Sequence, residues 1–296
     1  MAGSILVTGR TGQLAVALAG AAPSRGVTVH CLERPVLDIE QAASISQVFS
    51  AHTPSMVINA AAYTNVDAAE DDAAAAYRAN RDGPAELARL CAAACIPLIH
   101  ISTDYVFDGR KGAPYVESDV TAPQGVYGAS KLAGEQAVLT LCPRAVVLRT
   151  AWLYSPTGKN FVRTMLAAGE RNSSLRVVAD QIGCPTSAED LAEIVLGVAG
   201  HLCDNGNDRY AGIYHVAGAG AATWHELATA TFAAAARHGR RPPSVEPIST
   251  REWPTRAVRP PDSRLDCGRL AAVFGLRLPA WQDSVRRTVN TILRRE

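Results

Sequence analysis

Short apolar runs alternate with helical stretches through the first half of this 296-residue chain, and this alternation limits the possible folds more than any other feature. Runs of this length with few charged residues are typical of strands buried on both faces of a parallel sheet. Parallel neighbours need a crossover between them, which is usually a helix. The strands predicted in this way span residues 4–8, 27–32, 56–64, 97–103 and 145–149. Their βαβαβαβαβ order predicts an α/β fold with a doubly wound, Rossmann-type parallel sheet.

The alternation becomes less regular after Trp152. Helices are predicted over residues 161–171, 189–198 and 224–238 and from 280, and short strands over 175–179 and 212–216. Short mixed elements joined by long loops predict a smaller mixed α/β domain over the nucleotide crevice. We therefore expect a dinucleotide-binding domain over residues 1–150, to which some later segments return, and a mainly substrate-binding domain over residues 151–296.

A glycine-rich turn, GRTGQLA at residues 9–15, follows the first predicted strand and opens a helix. This setting gives a G-x-x-G-x-x-A pattern its meaning as a dinucleotide-binding turn. Gly9 permits the tight turn, and Gly12 lets backbone N–H groups at the helix N-terminus approach a pyrophosphate. Ala15 replaces the usual third glycine and is small enough for helix–strand packing. An ordinary βα turn is the alternative, and the position in the chain favours dinucleotide binding.

Glu33 and Arg34 follow the second predicted strand, where the adenosine ribose of a dinucleotide is expected. A carboxylate there would accept from the ribose hydroxyls, and an arginine would face a 2′-phosphate. Since both are present, NADH and NADPH remain equally open as the cofactor. Asp38, followed by Ile39, could cap the next helix or lie near the adenine.

The third and fourth predicted strands end in residues suited to a ligand crevice. Ala61 and Ala62 are small enough for a cofactor to approach closely. Thr103 ends the fourth strand, where a hydroxyl points into the crevice or, alternatively, caps the next turn. His100, inside the same apolar strand, is expected to be a core histidine with satisfied hydrogen bonds. Asn80, on the helix between these strands, would need partners if buried, and the neighbouring strand ends could supply them.

Tyr127 and Lys131 lie four residues apart in a stretch predicted to be helical, and therefore on the same helix face. A phenol has a pKa near ~10 when unperturbed, and a nearby cation lowers that value. The pair is thus a compact proton donor for a carbonyl oxygen. An isolated Y-x-x-x-K is usually an exposed helix face. The glycine turn and Thr103 favour a catalytic role for the Tyr127–Lys131 pair in this chain.

Composition excludes several classes of function. The formal net charge is +1 and no run of lysine and arginine is present, so neither nucleic acid nor an anionic membrane surface is an expected partner. Seven cysteines without a C-x-x-C pair argue against a disulfide framework or a zinc site. We see no signal peptide and no apolar run of about 18 residues. A reducing cytoplasm is the expected compartment.

Six motifs together make the chain resemble the extended short-chain dehydrogenase/reductases and, more narrowly, the family of dTDP-4-dehydrorhamnose reductases. They are TGRTGQL at 8–14, NAAAYTNVD at 59–67, STDYVFDG at 102–109, YGASKLAGE at 127–135, DQIGCPT at 180–186 and RPPDSRL at 259–265. The resemblance spans nearly the whole chain. Ala15 is the one clear departure, at a position where the family has glycine.

The resemblance implies reduction of dTDP-4-dehydro-β-L-rhamnose to dTDP-β-L-rhamnose, with hydride delivered to C4 by a nicotinamide. It assigns proton donation to Tyr127, ribose binding and a lowered tyrosine pKa to Lys131, and tuning of the pair to Thr103. Asp104 and Trp152 would contact the sugar nucleotide. The cofactor would be lined by Gly12, Gln13, Leu14, Asp38, Ile39, Ala61, Ala62 and Tyr63.

Two further expectations concern charged residues and assembly. Arg259 and Arg264 lie in a basic stretch over 240–264 and would either capture a diphosphate or belong to a solvated loop. Members of the family are reported both as magnesium-linked dimers and as monomers. Mg²⁺ and a homodimer are therefore open, with Glu189 as the residue suggested near such a metal.

Two other functions are compatible with this fold. The first is a non-catalytic nucleotide-binding regulatory subunit, since fold does not determine function. The complete set of Thr103, Tyr127 and Lys131 argues against it. The second is another sugar-nucleotide enzyme, an epimerase or a dehydratase. A 4,6-dehydratase of the superfamily typically carries Thr-Asp-Glu, and here Tyr105 follows Asp104.

Overall fold

The structure, a computed structural model, describes residues 3–204 and 208–294. Its strands are β1 (Ser4–Thr8), β2 (Thr28–Leu32), β3 (Met56–Asn59), β4 (Leu98–Thr103), β5 (Ala145–Thr150), β6 (Leu153–Tyr154), β7 (Ser174–Val178), β8 (Ile182–Gly183), β9 (Thr186–Ser187), β10 (Gly212–His215), β11 (Ala222–Thr223) and β12 (Ser244–Ile248). Its α-helices are α1 (Gln13–Ala21), α2 (Ala42–His52), α3 (Val66–Ala69), α4 (Ala73–Tyr77), α5 (Gly83–Ala93), α6 (Val126–Leu141), α7 (Phe161–Gly169), α8 (Ala188–Asp204), α9 (Trp224–Ala236), α10 (Gly268–Phe274) and α11 (Trp281–Leu293).

The central sheet has six strands in the order β10-β5-β4-β3-β1-β2. Every neighbouring pair in it is parallel. The predicted doubly wound α/β fold is therefore confirmed, and each of the five strands predicted in the first half is present. The strand order reverses between β1 and β3, which makes their carboxyl ends the place where such sheets bind ligands.

Both faces of the sheet are buried, which is why its strands are nearly continuous apolar runs. In β1, Ile5 and Val7 pack on one face with Leu18 of α1. Leu6 packs on the other face with Val48 of α2. Successive side chains point to opposite faces, so a one-residue change of register would exchange the two cores.

Asn80 lies in a π-helical stretch, Arg78–Asp82, which joins α4 to α5 without a break. The side chain is fully buried. It accepts from the Tyr63 N–H at 2.8 Å and donates to the Tyr63 carbonyl at 3.1 Å and to Ser130 Oγ at 3.0 Å. The predicted partners at a neighbouring strand end are confirmed, and the loop after β3 is anchored to α6.

The second half of the chain contributes to the central sheet and also forms small sheets of its own. β10 pairs with β5, and α8 packs on α1. β7 pairs in parallel with β12, which lies inside the basic stretch over 240–264 for which a solvated loop was one of the two alternatives. Pro247 hides this strand in the sequence, because proline lacks an N–H and is largely confined to the edge strands of a sheet. The predicted division of the chain near residue 150 stays a prediction.

The structure bears on two features that the sequence argued against, namely disulfides and membrane-spanning helices. None of the seven cysteines, all within the described ranges, forms a disulfide. Over residues 3–204 and 208–294, no helix combines the length and the apolar character that crossing a membrane requires.

Candidate active site

The carboxyl ends of β1, β3, β4 and β5 open onto one crevice of about 960 Å³. The predicted site residues on its walls are Gly9, Gly12, Gln13, Leu14, Glu33, Arg34, Ile39, Ala61, Ala62, Tyr63, Thr103, Asp104, Tyr127, Lys131 and Trp152. The structure thus brings together residues that are up to 143 positions apart in the chain, from Gly9 to Trp152. Asp38, Glu189, Arg259 and Arg264 are not among the lining residues.

The glycine turn depends on the conformation of Gly9 and on the missing side chain of Gly12. Gly9 has φ +94°, a left-handed conformation that favours glycine, and its N–H donates to the Leu32 carbonyl at 2.7 Å. Gly12 is the N-cap of α1, and a Cβ there would meet only open space. No side chain at Gly12 therefore covers the N-terminus of α1, where the sequence predicts a diphosphate. Ala15 is buried in the core that contains Ile5, Val7 and Leu18, so the fold accommodates alanine in place of the usual glycine.

Glu33 and Arg34 both have partners within the protein. Glu33 Oε2 accepts from the Thr11 N–H at 2.9 Å and from the Thr11 hydroxyl at 2.7 Å, and these bonds lower the pKa of the Glu33 carboxyl. Arg34 pairs with Asp38 at 3.0 Å and with Glu40. The cofactor preference therefore stays open. Because α2 begins at Ala42 with Gln41 at its N-cap, the capping role considered for Asp38 is wrong.

Tyr127 and Lys131 lie one turn apart on α6, which brings them beside Thr103 at the end of β4. The Thr103 hydroxyl donates to Asp104 Oδ1 at 3.1 Å and accepts from the Tyr105 N–H at 3.2 Å. Thr103 therefore caps the following turn while it also faces the crevice. The two roles considered for it are compatible.

Burial determines the titration of the tyrosine and the lysine. It raises the pKa of Tyr127 to about 12, which the neighbouring Thr103 hydroxyl only partly offsets. It lowers the pKa of Lys131 to about 8. The lowering of the tyrosine pKa by Lys131 expected above is thus wrong for this structure. The ammonium donates to the Ile101 carbonyl at 2.6 Å, and it is not among the groups that shift the pKa of the phenol. Tyr127 stays protonated at neutral pH, which is the form that a proton donor needs.

Asp104 is buried at the base of the crevice, with 2% of its surface exposed. Burial raises the pKa of its carboxyl to about 6 against the opposing effect of nearby hydroxyl and N–H groups. Its Oδ2 atom has no hydrogen-bond partner among the described residues. A buried oxygen without a partner is costly, and a ligand hydroxyl would satisfy it.

Trp152 follows β5 with a backbone φ of +47°, a conformation that non-glycine residues rarely adopt. Its indole stacks on that of Trp224, with ring centroids 3.5 Å apart and planes inclined by 3°. Gly183 lies against the same indole, and a Cβ there would come within 2.3 Å of it. These contacts fix a large apolar surface at the edge of the crevice.

The two predicted arginines are paired with carboxylates. Arg259 Nη2 donates to Asp67 Oδ2 at 2.7 Å, while its Nη1 is buried without a partner among the described residues. Its guanidinium lies 5.9 Å from the ring centroid of Tyr105, which lines the crevice. Arg264 forms a bidentate ion pair with Asp262, in which Nε donates to Oδ1 and Nη2 donates to Oδ2. Their predicted part in diphosphate capture stays a prediction.

The suggested metal residue, Glu189, lies in the first turn of α8 and accepts from Ser187 Oγ at 2.9 Å. Within the part of the chain that the structure describes, no three or more His, Cys, Asp or Glu side chains are grouped so as to hold a metal ion. The Mg²⁺ expectation therefore has no support from the described residues.

The sequence over residues 3–294 matches the model of the family described as RmlD substrate binding domain. The chain belongs to this family. The match covers nearly the full length and includes every residue of the crevice described above.

Relatives within the family are similar over their whole lengths. A dTDP-4-dehydrorhamnose reductase of Sinorhizobium fredii is 43% identical over 290 residues, which are 98% of this chain and 97% of that protein. A crystal structure of a dTDP-4-dehydrorhamnose reductase from Clostridium acetobutylicum has a TM-score of 0.91 at 36% identity and covers 98% of this chain and 99% of its own. The Bacillus anthracis protein of that name, in complex with NADP, has a TM-score of 0.91 at 34% identity and covers 98% of this chain and 100% of its own. A nicotinamide cofactor is accordingly supported for this family member.

Sequence reasoning missed two residues that support Trp152. Trp224 Nε1 donates to Gln181 Oε1 at 3.0 Å, and Gln181 Nε2 donates to Thr250 Oγ1 at 3.0 Å. Gln181 lies in the family's DQIGCPT motif, which could have indicated a role. Trp224 starts α9 outside every motif, so only the fold reveals its stack on Trp152.

Proposed function

We propose that this protein catalyses the NAD(P)H-dependent reduction of the C4 keto group of dTDP-4-dehydro-β-L-rhamnose to dTDP-β-L-rhamnose, the last step of dTDP-L-rhamnose biosynthesis. The observation that carries the proposal is the convergence of Thr103, Tyr127 and Lys131 with the open glycine turn at one crevice. Family membership and the names of the relatives support the choice of substrate.

The nicotinamide supplies the hydride when it is bound, and the chain supplies orientation and a proton. The crevice walls hold the ketone beside Tyr127, whose hydroxyl gives its proton to the C4 oxygen as negative charge develops there. Thr103 stabilises the same oxygen once its single hydroxyl proton, which otherwise goes to Asp104 Oδ1, turns towards it. Both interactions strengthen as the charge appears, which is the condition for lowering the barrier. Lys131, one turn along α6, orients the cofactor ribose.

Two residues are proposed to bind the sugar. Asp104 offers a buried oxygen without a partner to a sugar hydroxyl, and Trp152 offers a fixed indole face. Arg259 is proposed to meet the diphosphate with its unpartnered Nη1. The homodimer and the cytoplasmic location stay predictions.

The test uses purified protein with NADH and NADPH in separate reactions and 4-keto-6-deoxy sugar nucleotides that differ in nucleobase. We expect loss of the absorbance of the reduced nicotinamide with the thymidine nucleotide and a clear preference for one cofactor. Failure to oxidise either cofactor would contradict the proposal and favour a regulatory subunit. Turnover of the sugar nucleotide without net consumption of cofactor would instead indicate an epimerase.

Removal of the Trp224 indole is expected to weaken substrate binding. In Trp224→Ala, Trp152 loses its stacking partner, and aromatic pairs of this kind contribute enough to raise KM for the sugar nucleotide about three- to tenfold. KM for the cofactor should not change, because the glycine turn is not part of the stack. Trp253→Ala is the matched control, since Trp253 is 59% exposed. Equal KM values in the two variants would show that the stack does not position Trp152.

A further inference from the structure

A buried chain of polar side chains joins the glycine turn to Lys131. Thr8 Oγ1 lies 2.6 Å from Asn59 Oδ1, Asn59 Nδ2 lies 2.9 Å from His100 Nδ1, and His100 Nε2 lies 3.4 Å from Lys131 Nζ. Each of the four residues has 2% or less of its surface exposed. The sheet register places Thr8 beside Asn59 and Asn59 beside His100, so the chain crosses β1, β3 and β4 on one face.

The hydrogen bonds that Lys131 donates limit which ring nitrogen of His100 can carry the proton. A lysine ammonium has three N–H donors and no acceptor. One donor is used by the Ile101 carbonyl at 2.6 Å, and Nζ also lies beside His100 Nε2. Since Lys131 lines the crevice, a third donor is available to a ligand there. A charged Lys131 therefore needs Nε2 of His100 to be an acceptor, with the imidazole proton on Nδ1.

The amide of Asn59 decides which imidazole nitrogen holds the proton. If the Asn59 NH₂ group faces His100, the imidazole must accept at Nδ1 and therefore carries its proton on Nε2. Two donors, His100 Nε2–H and the Lys131 ammonium, then face each other. A half-turn of the amide, which preserves its shape, removes this conflict. Oδ1 then accepts from Nδ1–H, and Nδ2 donates to Thr8 Oγ1. That oxygen also accepts from the Ala61 N–H at 3.1 Å, so both of its lone pairs are used and its own proton turns away from Asn59.

We propose that His100 is a positioning residue for Lys131: its neutral imidazole, held by Asn59 with the proton on Nδ1, accepts from the ammonium at Nε2 and keeps Lys131 charged beside the cofactor ribose. The consequence for turnover rests on the proposed function, whereas the tautomer does not. Burial lowers the pKa of His100 well below its ordinary value, and the charge of Lys131 acts in the same direction, so the imidazole is neutral at physiological pH.

The expected pH effect follows from the groups that face Lys131. Burial lowers its pKa to about 8, while Glu135 from the same helix raises it. His100 is the titratable group facing it from β4, and Asn59 and Thr8 from β3 and β1 do not titrate. Activity that requires the ammonium is present below this pKa and is lost as the pH rises through it. Removing the Nε2 acceptor lowers the pKa further, so the loss should begin at a lower pH.

His100→Asn and His100→Gln form the matched pair. Asparagine places its amide near the Nδ1 position and leaves Lys131 without an acceptor, whereas the longer glutamine places an amide oxygen near Nε2. We expect kcat/KM near pH 8 to fall about ten- to a hundredfold in His100→Asn, with the alkaline limb displaced to lower pH. In His100→Gln, the alkaline limb of the pH profile should lie close to that of the wild type. Identical pH profiles in both variants and the wild type would overturn the proposal.

A second measurement does not depend on turnover or on the folding of the asparagine variant. The ¹⁵N shifts of protein labelled in its seven histidines report which ring nitrogen carries the proton, and His100→Gln identifies the signal of His100. We expect the wild type to have the proton on Nδ1 and Lys131→Met to populate the Nε2–H form. A wild-type proton on Nε2 would overturn the proposal. Absence of reductase activity with the Nδ1–H form present would instead contradict only the proposed function.

Discussion

Tyr127→Phe is expected to lower kcat by about two to four orders of magnitude, the usual contribution of a positioned general acid. The substitution removes the one hydroxyl proposed to protonate the C4 oxygen. The ring should stay in place, because its edge-to-face contact with Tyr105, with centroids 5.5 Å apart, does not use the hydroxyl. Steady-state kinetics measure the loss. Titration of bound cofactor by fluorescence should show an almost unchanged Kd.

Tyr105→Phe is the matched control for this experiment. It removes a second phenol from the same crevice wall, and burial raises the pKa of that phenol well above its ordinary value. We expect a loss of less than about tenfold, since Tyr105 has no assigned part in the proton transfer. Full turnover by Tyr127→Phe, or an equal loss in both variants, would show that Tyr127 is not the proton donor.

Glu135→Gln is expected to lower the free energy of unfolding by about 3–5 kcal/mol, because it leaves the charge of Arg149 buried without its counter-ion. Arg149 Nη2 donates to Glu135 Oε2 at 2.7 Å, and Nε lies 3.0 Å from Oε1. Their side chains are 2% and 1% exposed. The Ser102 hydroxyl also donates to this carboxylate. Denaturant unfolding near neutral pH measures the change.

The exposed pair of Arg25 and Glu193 gives the control. Its side chains are 39% and 46% exposed, so Glu193→Gln should cost no more than about 1 kcal/mol. Replacing both buried partners by apolar residues, as in Glu135→Leu with Arg149→Met, should cost less than Glu135→Gln alone. Equal unfolding free energies for Glu135→Gln and Glu193→Gln would contradict this account of the buried pair.

Predictions that depended on neighbouring residues in the chain agree with the structure. The glycine turn requires only the local freedom of Gly9 and the small size of Gly12. The spacing of Tyr127 and Lys131 places them on one face of any helix. The expected polar partners of buried Asn80 are also present, although they lie 17 and 50 residues away in the chain, because a buried amide must be hydrogen-bonded wherever it lies.

Predictions that depended on distant partners were less successful. Lys131 was expected to lower the pKa of Tyr127, but its ammonium is engaged by Ile101 and burial raises that pKa instead. Arg259 was expected either to capture a diphosphate or to belong to a solvated loop. Asp67, 192 positions earlier in the chain, is its partner in the folded protein.

The sequence by itself determined the parallel α/β architecture, the dinucleotide turn and the helical Tyr127–Lys131 pair, because periodicity and backbone sterics act over a few residues. Only the tertiary structure decided that Trp224 stacks on Trp152 and that Thr8, Asn59 and His100 lead to Lys131. These contacts join positions that are 31 to 72 residues apart, and the packing of the elements and the register of the sheet bring them together. Burial, which shifts the pKa values of Tyr127, Lys131 and Asp104, exists only after that packing is complete.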